Sequence, residues 1–182
     1  PTNVIVGTDN YAGGVMAVDR LAASGRRKVA FLGISPAFHV YKPFSERLRG
    51  YRDAVARRGL CDDPGLVVTS SEMRDAYDVR PILARVLDSH PDIDAFFAIS
   101  DFIAVQVLYA LKGMDVNVPG DIAVVGFDGL PAGEAVSPRL TTVAQPFADI
   151  ARETVSLIVG GAPKSGKKIV PVKPRLVARE SA

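Results

Sequence analysis

Polar side chains stand where short apolar runs stop, and their types are those that hold hydroxyl groups. Asp9 and Asn10 follow the run 4–6, Ser100 and Asp101 follow 95–99, Asp128 follows 122–127 and Gln145 follows 140–144. Arg47 lies early in the helical segment fed by the run 29–32. A carboxylate takes two adjacent hydroxyls, a carboxamide both gives and takes, and a guanidinium donates a planar fork. The set suits a neutral sugar, polyol or nucleoside. Phe38, Tyr41 and Phe44 precede Arg47; they either stack on the C–H face of such a ring or fill the space beneath a long loop. Plainer roles compete. Ser100 and Asp101 stand where a helix cap is wanted, and Arg47 shares its segment with Arg49, Arg52, Arg57 and Arg58, a solvated helix surface. Asp128 is harder to dismiss, because a charge at the end of a buried run needs a partner or water.

For these groups to converge, their runs must be strands of one sheet. Short β-branched runs alternate with segments of helical period, the layout of an α/β fold with a parallel sheet flanked by helices. Strands are expected at residues 4–6, 29–32, 66–68, 95–99, 122–127, 140–144, 169–172 and 176–178. One helix opens at Gly13-Gly14 and closes at Gly25, and a second runs from an N-cap at Ser45 to Gly59. Others span 76–89, where Pro81 is expected to kink the helix or else to mark its true first turn, then Ser100 to Gly113, and Pro146 to 159. In an open parallel sheet ligands settle at the carboxyl ends of the strands. All the polar groups above then lie on one rim.

Composition narrows the classes further. With 182 residues, 48% of them apolar, the chain can bury a real core, and a net charge of +2 gives no dedicated phosphate-binding stripe. A single cysteine, Cys61, rules out an internal disulfide and a multi-cysteine zinc site. No apolar run approaches the roughly 20 residues of a membrane helix, and the first residues lack the layout of a signal peptide. A soluble, cytoplasmic protein is expected. A start at Pro1 directly before an apolar run reads as a fragment or processed product.

Enzyme signatures fail on inspection. Residues 161–167 match a phosphate loop as far as the lysine, but Lys168 stands where Ser or Thr is required, and the segment follows a helix instead of a strand. His39 and His90 are far apart and outside any metal-ligand spacing. Cys61 precedes Asp62 and Asp63, which oppose a thiolate, and Asp92 with Asp94 read as strand entry in water. The expectation is a binding protein with no catalytic residue, no metal and no cofactor.

In chain order the sequence resembles the effector-binding domain of lactose-repressor/galactose-repressor (LacI/GalR) transcription regulators. The resemblance is carried by Asp9-Asn10 with Gly13-Gly14, by 21–33 through Ser24-Gly25-Arg26, by Ser45-Glu46-Arg47-Leu48-Arg49-Gly50-Tyr51, and by Ala98-Ile99-Ser100-Asp101. It continues through 118–128, ending Val125-Gly126-Phe127-Asp128, then 138–146, ending Ala144-Gln145-Pro146, and the tail 174–179. It implies a periplasmic-binding-protein-like fold of type I, two α/β lobes joined by three crossovers with an effector in the cleft. Residues 1–7 would be the last strand of the N-terminal lobe, 8–144 the C-terminal lobe, 145–172 a returning helix and strand, and 173–182 the final strand of the C-terminal lobe. The N-terminal lobe is then partial.

By position, Arg47, Ser100, Asp101, Asp128 and Gln145 fall on effector-contacting or cleft-wall sites, beside the Asp9, Tyr41 and Phe38 of the rim. The implied partners are a small sugar-like effector, a second copy in a homodimer, and operator DNA only through a helix-turn-helix head outside this sequence. Arg26 replaces the usual histidine, the loop before Arg47 is long, and Ser71 stands where an aromatic is common, leaving Phe38 or Tyr41 as substitutes. Without the rest of the N-terminal lobe, the helix from Phe147 and the strand from Ile169 are expected to need cover from another chain or the remainder of a cut parent. Two other readings share the fold: an extracytoplasmic sugar-binding protein of a transporter, and a sugar-processing enzyme.

Overall fold

The computed structural model describes residues 3–34, 42–70, 79–160 and 167–182. Among them the strands are β1 (Asn3–Thr8), β2 (Val29–Ile34), β3 (Val67–Ser70), β4 (Ala95–Ala98), β5 (Ala123–Asp128), β6 (Thr141–Ala144), β7 (Lys167–Val172) and β8 (Arg175–Val177). The helices are α1 (Asn10–Ala23), α2 (Lys42–Arg58), α3 (Arg80–Ser89), α4 (Asp101–Gly113) and α5 (Phe147–Val159). One sheet runs in the order β3-β2-β4-β5-β6-β8, parallel except for the antiparallel β6–β8 edge. A separate parallel pair joins β1 to β7, with Thr8 opposite Val172.

Every residue of β4 is buried, as is β5 up to Asp128, which is why both read as unbroken apolar runs. Phe31, Phe96, Phe97 and Phe127 are the largest fully buried side chains, and Phe31 meets Phe97 edge-on at 5.4 Å between ring centroids. The strand order reverses beside β2, which has β3 on one side and β4 on the other. Such a reversal is where an open sheet leaves room for a ligand beyond its carboxyl ends. Between the two sheets the chain crosses at Thr8-Asp9, at Gln145-Pro146 and at Lys173-Pro174. The Asp9 N–H donates to the Val172 carbonyl at 2.9 Å, fastening the first crossing to the third.

Several element ends differ from expectation for local reasons. α1 begins at Asn10, ahead of Gly13, because the Asp9 carboxylate accepts the Ala12 N–H at 2.9 Å and caps the helix there. Gly13 and Gly14 are contact residues instead: a side chain on Gly14 would press into the Arg47 carbonyl, and one on Gly50 into that of Tyr11. These glycines let α1 and α2 cross backbone to backbone. α2 begins at Lys42, and Ser45, expected to cap it, lies inside its first turn donating to the Lys42 carbonyl. α3 begins at Arg80, so Pro81 occupies the first turn, where its missing N–H is no loss, and makes no kink. Residues 76–78, assigned to that helix, lie outside the described residues, as do Ser71 and 161–166.

Arg26 fixes the turn before β5, its guanidinium donating to the carbonyls of Pro119, Gly120 and Asp121. No residue of α5 is buried: Phe147, Val155, Ile158 and Val159 are all more than half exposed, with Ile5 of β1 and Ile169 of β7 close to half. The described residues leave that face uncovered.

Candidate functional site

The carboxyl ends of β1, β4, β5 and β6 and the start of α2 enclose an open cleft of about 890 Å³. Arg47 is its centre. Although a guanidinium, it is only 4% exposed, held because α2 crosses α1 so closely that the side chain enters beneath the sheet ends. Its Nε donates to Asn10 Oδ1 at 2.8 Å and one terminal nitrogen donates to the Ile99 carbonyl at 2.6 Å. The other terminal nitrogen lies 3.5 Å from Asp128 Oδ1. The planar group sits 3.6 Å over the Phe127 ring, a cation–π contact, with Phe44 at 5.4 Å. A compact ammonium could not make this set of bonds.

Asp128 is presented by backbone distortion. Its φ is +126°, a region L residues rarely adopt, and Gly129 follows at +78°. The turn swings the carboxylate off the end of β5 towards Arg47, where Gln145 Nε2 also donates to Oδ1 at 2.7 Å. Gln145 Oε1 in turn accepts from the Thr8 hydroxyl at 2.7 Å, and Asn10 Nδ2 donates to the Thr8 carbonyl at 2.9 Å. The circuit Thr8, Gln145, Asp128, Arg47, Asn10 closes on itself. Burial pushes the Asp128 carboxyl above its ordinary value, while the Arg47 charge and the Gln145 amide pull it back.

Of the groups expected on the rim, Asp9, Arg47, Ser100, Asp128 and Gln145 line this one cleft. Asp9 and Ser100 also cap α1 and α4, so cap and cleft wall are the same residues. Phe38 and Tyr41 lie outside the described residues. Asp101 is a correction: it is fully buried and turned away, accepting the Thr142 hydroxyl at 2.6 Å and the Leu130 N–H at 2.7 Å. Its first-turn place on α4 sends the side chain behind β5, against Gly126, where it anchors the loop after Asp128. Burial pushes this carboxyl up as well, opposed by those same donors. Asp101→Ala strands the buried Thr142 hydroxyl and frees the half-buried Leu130 N–H, and is expected to cost about 2–3 kcal/mol of stability, read as a lower urea midpoint with unchanged slope.

Sequence reasoning passed over Thr8, whose partner is 137 positions away, and the apolar wall of Ile5, Phe102, Phe147 and Ile169 that faces the polar floor. The other polar residues have structural work. Asp94 accepts the Arg27 and Lys28 N–H groups, Asp92 pairs with Lys28, His90 lies 3.7 Å from Asp63, and Cys61 is exposed. Among the described residues no His, Cys, Asp and Glu cluster could hold a metal, and no helix is long and apolar enough to cross a membrane.

Comparison with known proteins agrees with this fold. The periplasmic binding protein-like domain family matches residues 18–182. The HTH-type transcriptional regulator CelR of Thermobifida fusca is 36% identical over 154 residues, and the ribose operon repressor of Halalkalibacterium halodurans 30% over 159; each match covers 85% of this chain and 44% of the relative. The chain thus spans less than half the length of these relatives. Among solved structures, a transcriptional regulator CelR–cellobiose complex superposes with a TM-score of 0.81 at 33% identity, covering 99% of this chain and 54% of that one. A LacI family transcriptional regulator from Silicibacter pomeroyi gives 0.83 at 28%, covering 98% and 64%. The chain belongs to the periplasmic binding protein-like domain family, in the form that serves LacI-family transcriptional regulators as their effector-binding domain.

Proposed function

We propose that the cleft binds a small, neutral, hydroxyl-rich molecule of the sugar class and that binding biases the whole regulator between DNA-competent and DNA-released states. The observation that carries this is the placement of Arg47 and Asp128 in one crevice, paired with each other and wired to Asn10 and Gln145. The pair is nearly neutral as a unit, so its donors and acceptors suit hydroxyls better than a phosphate or carboxylate. The names of relatives point the same way, a ribose operon repressor and a cellobiose complex among them.

In this reading residues 1–7 and 145–172 belong to an N-terminal lobe and 8–144 with 173–182 to a C-terminal lobe. The two sheets and the crossings near Thr8, Gln145 and Lys173 support that division. Operator binding belongs to a helix-turn-helix head outside residues 1–182, in a cytoplasmic homodimer. Relatives that are regulators favour this over a transporter's binding protein. A sugar-processing enzyme is disfavoured by the site, whose Asp128 carboxylate is committed to Arg47 and Gln145.

A thermal-shift panel of sugars, polyols, nucleosides and sugar phosphates against the full-length regulator tests the proposal. A ligand selective for the folded form must raise the midpoint, by about 2.7 kcal/mol of added stability at a hundred times its Kd. A neutral sugar is expected to give the largest shift; stabilisation only by phosphorylated or acidic compounds would contradict the reading.

A further inference from the structure

We propose that Thr8 is a positioning residue of the cleft: its hydroxyl fixes the Gln145 carboxamide with the NH2 end towards Asp128, tying that carboxylate to the first crossing between the sheets. The Asp128 carboxylate can only accept, so Gln145 must turn Nε2 to it, as the 2.7 Å bond shows. Oε1 then faces the other way and needs a donor, which Thr8 Oγ1 supplies at 2.7 Å. Asn10 Nδ2 holds the Thr8 carbonyl at 2.9 Å, and Thr8 lies opposite Val172 in the β1–β7 pair. The backbone that carries the hydroxyl is therefore held by the β1–β7 pair on one side and by the Asn10 side chain on the other.

The arrangement reaches across two crossings. Thr8 belongs to the first, Gln145 to the second, and the Asp9 N–H to Val172 carbonyl bond fastens the third. A change at Asp128 that drew it away from Gln145 would free the amide, and with it the only side-chain hydrogen bond described between the first two crossings. The charged groups bearing on Asp128 are Arg47 of α2 and Asp101 of α4, with Asp9, Glu46 and Lys42 on the same cleft wall. Arg47 is at hydrogen-bond range of Asn10 and Ile99 as well, so Gln145 is the neutral donor whose direction is adjustable.

The test measures thermal midpoints of the full-length protein across pH 4–8 for wild type, Thr8→Val and Thr8→Ser, each also in an Asp128→Asn background. With Thr8→Val the Gln145 Oε1 loses its donor, so the amide is held at one end only and supports the ionised carboxylate less, which raises the Asp128 pKa further in the folded state. A raised carboxyl pKa contributes stability at low pH that is lost as pH climbs through it. The gap between wild type and Thr8→Val is therefore expected to widen by about 2 °C from pH 4 to pH 7, to close in Thr8→Ser, and to become flat with pH in the Asp128→Asn background. A gap equal at every pH, or one that still widens without the Asp128 carboxylate, overturns the proposal. Thr8→Ala, read in the same way, stands in should the valine variant not fold.

The role of Thr8 in ligand recognition rests on the sugar-sensing reading, whereas the pH signature needs no ligand. If that signature appears and no sugar in the panel binds, Thr8 keeps its role and the sensing proposal fails. If sugars bind and the gap is flat, the reverse holds. Where both hold, Thr8→Val is expected to weaken the best neutral sugar three- to tenfold, and Thr8→Ser to restore it.

Discussion

Arg47→Ala is expected to destabilise the domain by about 3–5 kcal/mol, the range for removing one partner of a buried ion pair, and to abolish ligand binding. The substitution removes one side chain and strands several groups at once. Asn10 Oδ1 and the Ile99 carbonyl lose their donors, Asp128 keeps a charge with only Gln145 to hold it, and the Phe127 ring loses the plane stacked on it. Arg47→Lys keeps the charge but cannot span Asn10, Ile99 and Asp128 together, and is expected to recover stability only in part. Urea unfolding and calorimetric titration of both variants check this. A midpoint near wild type for the alanine variant would mean that Arg47 is solvated and the circuit does not form.

The second large effect is remote from the ligand. Gly50→Ala is expected to cost about 3 kcal/mol, the upper end of the overpacking range, because its new carbon meets the Tyr11 carbonyl and the Val15 N–H, which are backbone and cannot rotate away. Gly14→Ala meets the Arg47 backbone itself. Either change moves α2 relative to α1 and so shifts the guanidinium, so ligand affinity should fall together with stability. Because the two glycines face one crossing, the double variant is not expected to equal the sum of the singles. Chemical denaturation of the three proteins settles the coupling.

Much of this architecture was legible in the sequence, for a physical reason. Buried parallel strands such as 95–98 and 123–127 carry no polar residue, so the first polar residue after each run marks a strand end, and strand ends share one edge of a sheet. Asp9, Ser100, Asp128 and Gln145 were found in that way and do line one cleft. Asp101 was misplaced because adjacent residues at a helix start point in different directions: Ser100 faces the cleft while Asp101 dives behind β5 to Thr142. The helix begins at Lys42 and not at Ser45, whose hydroxyl bonds back to the Lys42 carbonyl inside the first turn. Thr8, the first polar residue after the run 4–6, carries the same strand-end signal, but its role is not legible because it depends on a residue across the whole fold. The +126° φ of Asp128 likewise cannot be read from an aspartate followed by glycine, although that pair permits it.

The most direct measurement is a structure of the full-length regulator bound to whichever neutral sugar shifts its melting most. The account predicts ligand hydroxyls within hydrogen-bond distance of the Asp128 carboxylate and the Arg47 guanidinium, with Gln145 still joined to Thr8. A ligand lodged elsewhere, with the Arg47–Asp128 pair dry and untouched, would contradict it.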